Sequence, residues 1–361
     1  MTHLSVLLGA CGIALAGGAV ASLLPVPLPW MTGALVATAL LARFGATTLP
    51  PDFKFPQALR DCAVAAIGVT IGAQVTPELL SQLPSLALTT AALLPFVLLL
   101  LAGNYLIFRR LGDYPPPLAY YAGAPGGLIE AITLGEAAGA DPQRLIAQQF
   151  LRLILVLIAI PAILSVWLGV PVGSAAGLGF GTGTAATLSD LAAFAVLAAL
   201  GLWLRRVLKI PAGQITGPLL VSALAAVTIL PGLTTATWLL NLAQVGVGAS
   251  LGLQFLGIDG PALRRAVGLA VVSCTFMTAV GITLALTLAP LSPLDPLALI
   301  AAYAPGGVTE MSLVALTLGA APAAVTLHHL LRIVLTVLIL PPLARRLGIT
   351  ANDKGDAEAS P

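Results

Sequence analysis

Two arginines, Arg152 and Arg332, stand inside runs that are otherwise almost wholly apolar, each ten residues beyond a proline, Pro142 or Pro322. At 1.5 Å of rise per residue, that spacing carries each guanidinium roughly 15 Å along a helix. A charge so deep in apolar surroundings is costly and faces a cavity or a partner rather than lipid. The chemistry open to it is anion capture, because five donors in a planar fork match a carboxylate or a phosphate. Upstream of each arginine lies a second unusual element, Ala124-Pro125-Gly126-Gly127-Leu128-Ile129-Glu130 and Ala304-Pro305-Gly306-Gly307-Val308-Thr309-Glu310. A proline suits the first position of a helical arm, glycines let backbone N–H groups approach a ligand, and a helix N-terminus favours negative charge. A tight turn between packed helices would use the same residues.

Glu130 and Glu310 follow their prolines by five residues. A carboxylate there complements the helix dipole. Two further roles stay open: binding a coupling H+ or Na+, or forming an ion pair, Glu130 with Arg152 and Glu310 with Arg332. Other polar groups share the apolar runs. Thr70 and Ser250 sit between Gly68 and Gly72 and between Gly248 and Gly252, and Gln74 and Gln254 follow. The glycines read as helix-packing positions, while the hydroxyls and amides are candidates to complete a ligand site or to bond between helices. His328 and His329 occupy the place of Gln148 and Gln149. Adjacent helical residues point about 100° apart, so the two imidazoles do not readily share one metal; a proton relay and a packed polar group are the alternatives.

The elements that must position these residues are helices in a bilayer. Of 361 residues, 58% are hydrophobic and 8% charged, against roughly 25% charged in a soluble domain. The net charge is only +2 and no basic block exists, which argues against nucleic-acid binding. Cys11, Cys62 and Cys274 form no CxxC pair, so no disulfide framework, thiolate metal site or cofactor is expected. Only helices and closed barrels satisfy every backbone group in lipid, and the runs lack barrel-type alternation. The first run, 4–24, has no Lys or Arg before it and reads as a membrane helix rather than a signal peptide.

The chain repeats itself at an offset of 180 residues. Besides the two Pro-Gly-Gly elements, Gly68, Gly72 and Gln74 fall on Gly248, Gly252 and Gln254, and Arg152 falls on Arg332. Nearer the start the offset drifts to 184, aligning Thr32-Gly33 with Thr216-Gly217. Each half holds five runs able to span, or nearly span, a core of ~30 Å: 4–24, 29–43, 58–76, 84–108 and 143–168, then 190–208, 212–230, 237–256, 263–288 and 322–346. The Pro-Gly-Gly segments, 115–140 and 294–320, are either re-entrant hairpins or broken helices that cross. If both cross, the basic residues outside the helices divide between the two sides. If both are hairpins, all of them fall on one side, leaving only Arg152 and Arg332 in the membrane, as the positive-inside rule favours. The expectation is therefore an all-α polytopic membrane protein of two inverted repeats, each of five transmembrane helices plus one Pro-Gly-Gly re-entrant hairpin or broken helix, the hairpin being favoured by charge. Repeat 1 covers 1–169, a periplasmic linker 170–187, repeat 2 188–347, and a disordered cytoplasmic tail 348–361, with both termini cytoplasmic.

The paired Ala-Pro-Gly-Gly-x-x-Glu segments, each followed by a glycine and a membrane arginine, resemble the duplicated AbrB-type bacterial integral membrane proteins over residues 5–346. The resemblance implies a bacterial inner-membrane protein with Pro125–Glu130 and Pro305–Glu310 as its recognisable elements. The family carries two labels, ammonia monooxygenase and regulator of gene expression. Copper or iron oxidation needs converging His and carboxylate ligands, which these residues do not supply, and regulation without a soluble basic domain is indirect. The function expected is transporter-like. A small organic anion binds between the hairpin tips, at Pro125, Gly126, Gly127, Pro305, Gly306 and Gly307, and at Arg152 and Arg332, and the site is exposed alternately to the two sides. The alternatives are a membrane sensor that binds without translocating and, third, an oxidoreductase. Oligomeric state stays open, a homo-oligomer included.

Overall fold

The computed structural model describes residues 3–24, 28–45, 49–50, 53–73, 75–77, 81, 83–169, 186–208, 213–256 and 260–349. Gln74, nearly all of the expected linker and all but the start of the expected tail lie outside the described residues. Among the described residues the chain is helical with no strands. Six stretches are long and apolar enough to cross a membrane: Leu4–Ser22, Pro84–Arg110, Pro142–Leu168, Leu188–Leu208, Leu263–Leu291 and Pro322–Arg346. The other four expected spans are 16-residue helices: α2 (Pro29–Phe44), α3 (Gln57–Gly72), α10 (Gly213–Thr228) and α11 (Thr237–Gly252). At 1.5 Å per residue each runs about 24 Å, short of a ~30 Å core.

Local chemistry sets many of the boundaries. Helix α8 (Pro142–Leu168) starts where the Asp141 carboxylate accepts from the Arg144 N–H at 2.9 Å, with Pro142 in the first turn, and it ends at Gly169, left-handed at φ 68°. Helix α13 (Pro296–Tyr303) starts the same way, with Asp295 accepting from the Leu297 N–H at 2.7 Å. A side-chain acceptor satisfies an orphan donor of the first turn, and proline loses nothing there.

By contact the helices form two sets. One joins α1 (His3–Ser22), α2 and α3 to α9 (Leu188–Leu208), α10 and α11. Its contacts are exchanged between the sequence halves: α3 packs on α10, and α11 on α2. The glycines make this possible. A Cβ on Gly68 would stand 2.6 Å from the Ile215 carbonyl oxygen, and one on Gly72 2.4 Å from that of Leu219. On the other pair, a Cβ on Gly248 would stand 2.3 Å from the Met31 oxygen and one on Gly252 2.4 Å from that of Leu35. Helices α3 and α11 run antiparallel, for Ala63 faces Gly246, while Phe53, just before α3, packs with Leu253, just after α11.

The second set joins α4 (Ala87–Ala91), α5 (Leu93–Arg110), α8, α12 (Gly260–Leu288) and α15 (Pro322–Arg346) to the Pro-Gly-Gly segments. The first segment is α6 (Pro116–Ala122) and α7 (Leu128–Ala137); the second is α13 and α14 (Val308–Thr317). Each segment folds back on itself. Along α8, Gln149 donates to the Tyr121 carbonyl and Arg152 to that of Ala124, so α6 advances with α8. Helix α7 then returns, placing Gly135 against Tyr121 and Leu145. Likewise His329 bonds Ala301 O and Arg332 donates to Ala304 O, after which Ser312 meets Thr326 near the start of α15. The first hairpin lies beside the far end of α15, where the Tyr120 hydroxyl donates to Leu340 O at 2.9 Å. The two hairpins thus reach inward from opposite ends of α15.

Candidate functional site

The hairpin tips meet between α8 and α15. Gly126 packs on Ile333 and Thr336, and Gly306 packs on Val156. Gly127, with φ 63°, is the residue before α7 and takes a left-handed conformation that L side chains rarely adopt. Its counterpart Gly307 is extended, at φ −80°, but a Cβ there would fall 1.9 Å from Glu310 Oε2. Both glutamates fold back over the glycine that opens their own helix: Glu130 Oε2 lies 3.3 Å from where a Gly127 Cβ would be.

Each buried arginine holds the backbone that leads into its own tip. The Arg152 Nη1 donates to the Ala124 carbonyl. Arg332 donates through Nη1 to Ala304 O at 2.7 Å, and through Nη2 to Gly306 O at 2.6 Å and His329 Nδ1 at 2.8 Å. Carbonyls freed by the proline and the turn thereby regain donors. Neither arginine is ion-paired with its glutamate, because the glutamates turn toward their own helix starts. Among the described residues the ion pairs are Arg144–Asp141, Arg205–Asp61 and Arg265–Asp113. In both arginines the Nε is buried and has no hydrogen-bond partner.

Around the tips lies a cavity of about 530 Å³. Gly126, Gly127, Arg152, Gly306, Gly307 and Arg332 border it, with Glu130 and Glu310. It runs from Arg332, 1% exposed, out to exposed Gln57 and half-buried Arg60 at the start of α3. Arg205 and Gln214 line the same outer part. There Arg205 Nη2 meets Asp61 Oδ2 at 2.6 Å, joining α9 to α3, and Gln57 Nε2 donates to Asp61 Oδ1 at 2.8 Å. Arg60 is thus a cavity cation in addition to the buried pair.

Other residues picked out from the sequence stand apart. Thr70 and Ser250 are buried but spend their hydroxyls on their own helices, on Ala66 O and Val247 O. Pro125 and Pro305 are buried behind the glycines, and Gln254 is exposed in the 3-10 turn Leu253–Phe255. His328 bonds Ala324 O and Thr89 Oγ1, both at 2.9 Å. His329 Nε2 donates to Ala301 O at 2.9 Å, the bond that Gln149 Nε2 makes to Tyr121 O at 2.8 Å. Neither histidine borders the cavity. His329→Gln should therefore change thermal stability by less than about 1 kcal/mol, whereas His329→Leu, which strands Ala301 O and an Arg332 N–H, should cost about 1–3 kcal/mol. Equal midpoints for the two variants in a melt of the solubilised protein would refute this. Sequence reasoning passed over Gln57, Arg60, Asp61, Arg205 and Gln214, of which only the Arg60-Asp61 step at the head of an apolar run gave a signal.

In comparisons with known proteins, a curated relative from Bacillus subtilis (strain 168), "Uncharacterized protein YhjN", is 25% identical over 96% of this chain and 94% of its own length. No solved structure matches. The family model described as "Transition state regulatory protein AbrB" matches residues 30–348. That span includes both hairpins, both buried arginines and every residue of the cavity, and the chain belongs to this AbrB family.

Proposed function

We propose that the protein is a secondary carrier of a small anionic metabolite in the bacterial inner membrane, its site alternating between the two sides. The observation that carries this reading is the pair of buried guanidiniums, each lacking an acidic partner, each with an unpartnered Nε, bordering one cavity between two hairpin tips. Buried charges are ordinarily paired, and an anion that enters the cavity completes them. Hairpins reaching in from opposite ends and repeated elements in antiparallel pairs fit the way inverted-repeat carriers place a site near the midplane. The regulatory description of the family is compatible with an indirect effect through the transported metabolite.

The test combines binding and flux. Mono- and dicarboxylates, amino acids and phosphate are screened for thermal stabilisation of the purified protein, since a ligand that binds only the folded state raises its stability. The stabilising anion is then loaded into proteoliposomes for exchange. Expected are stabilisation by one anion class, exchange of that class, and an affinity about tenfold or more weaker in Arg152→Gln, the loss of one charge-assisted contact. Saturable binding without exchange overturns the carrier and leaves a sensor.

A further inference from the structure

The cavity reaches Gln57 and Arg60 at the start of α3, and the repeat shows what stands at the equivalent place in the other half. Helices α3 and α11 are equivalent at the offset of 180, and the starts of α10 and α2 are equivalent at 184. At the open end Arg60, Gln214 and Ile215 line the cavity. Their counterparts are Leu240, Trp30 and Met31. Because α3 and α11 are antiparallel, these lie at the opposite end of the set. Leu240 is 1% and Met31 0% exposed. One turn past Leu240 along α11, and one turn before Gly248 where Met31 packs, Gln244 is completely buried and neither its Oε1 nor its Nε2 has a hydrogen-bond partner. Asn241, the counterpart of Asp61, has a buried and unpartnered Oδ1 on the same helix face, three residues away. At the open end the position of Gln244 belongs to an ordinary valine, Val64. Packing alone favours the valine, since a buried amide with no partner is a net cost that native structures rarely carry without a reason.

We infer that the α2–α11 end is a second mouth of the central cavity, closed in this structure by Met31 and Leu240, with Asn241 and Gln244 as the polar lining that water and the anion meet when it opens. The inference rests on the carrier reading and names its outer route. It gives the amides their partners: they are hydrated in the opposite state, in which Arg60 and Gln214 are covered.

The experiment uses the full-length chain in proteoliposomes, with Cys11, Cys62 and Cys274 replaced by alanine. Single variants Arg60→Cys and Gln244→Cys are exposed on each face to an impermeant methanethiosulfonate ammonium reagent. The cysteine at 60 is expected to react from one face and that at 244 from the other. Leu240→Ala should raise the rate at 244 about tenfold, as a one-decade shift of a closed–open equilibrium would. Should Leu240→Ala fail to fold, Gln244→Leu, which removes the stranded amide from the closed state, should lower labelling of Asn241→Cys by a similar factor. Reaction at 60 and 244 from the same face, or rates that neither second substitution changes, would overturn the second mouth. Exchange of the stabilising anion by vesicles of the cysteine-free protein, with Arg60 and Gln244 intact, separates the two readings: exchange there with 244 unreactive defeats the mouth alone, and a reactive 244 without exchange there defeats the carrier.

Discussion

Arg332→Gln is expected to lower the stability of the protein by about 2–5 kcal/mol, because two carbonyls, Ala304 O and Gly306 O, lose their guanidinium donors deep in the molecule and each stranded group costs about 1–3 kcal/mol. His329 Nδ1 loses the same donor. Glutamine offers one amide in place of a three-way fork, and lysine, which keeps the charge, cannot reach three acceptors in one plane. Arg152 makes the equivalent bond to Ala124 O but has no counterpart of the Gly306 and histidine bonds. Thermal midpoints should therefore rank wild type, then Arg152→Gln, then Arg332→Gln, while under the carrier proposal both variants bind the anion more weakly. Equal midpoints would show that the second hairpin does not depend on its arginine.

The other large effect is expected at the contact between α11 and α2. Gly252→Val should destabilise by about 3 kcal/mol or more, at the upper end of overpacking costs. A Cβ at 252 would stand 2.2 Å from Thr38 Oγ1, 2.4 Å from Leu35 O and 2.8 Å from the Ala39 nitrogen. Two of these three atoms belong to helix backbone, so no rotamer change relieves the clash. Thr38 cannot swing away freely either, since it donates to Ala34 O at 2.7 Å and reaches Ala249 O. Gly268→Val, on α12 with nothing within 4 Å of its Cβ direction, is the control, expected to be neutral or slightly stabilising, by under about 1 kcal/mol, because valine has a higher helix propensity than glycine. Comparable yields of folded, monodisperse protein from Gly252→Val and Gly268→Val would contradict this account of the contact.

How much of this could be read beforehand varies with the range of the interaction. The span 322–346 coincides with α15, and 143–168 differs from α8 by one residue, because proline starts and long apolar runs are local signals. The runs 58–76 and 237–256 overshoot α3 and α11 by four residues at their ends; hydropathy continues past Gly72 and Gly252 although the helices stop there. That Arg152 and Arg332 are buried is legible from their place in long apolar runs. Their partners are not, because a glutamate five residues from a proline fits an arginine pair or a helix cap equally well in sequence. Only the fold-back of Glu310 over Gly307 decides between them. Thr70 and Ser250 looked like ligand groups because a hydroxyl in an apolar run is unusual, yet each is satisfied by a carbonyl of its own helix. Arg60 and Arg205 stand near the ends of the runs 58–76 and 190–208 and count in sequence only toward the charge balance, and their convergence on one cavity depends on a contact between Arg205 and Asp61, 144 residues apart.

The exchange of helices between halves bears on how the chain is made. The Ser222 hydroxyl donates to Val69 O across 153 residues, and Thr38 reaches Ala249 O across 211. Synthesis at roughly 5–20 residues per second leaves α2 and α3 without their partners for about ten seconds or longer. During that interval the faces that α11 and α10 will cover meet lipid or a chaperone, and loop closure over such separations adds to the delay. The first half of the chain is therefore an incomplete template that the second half finishes.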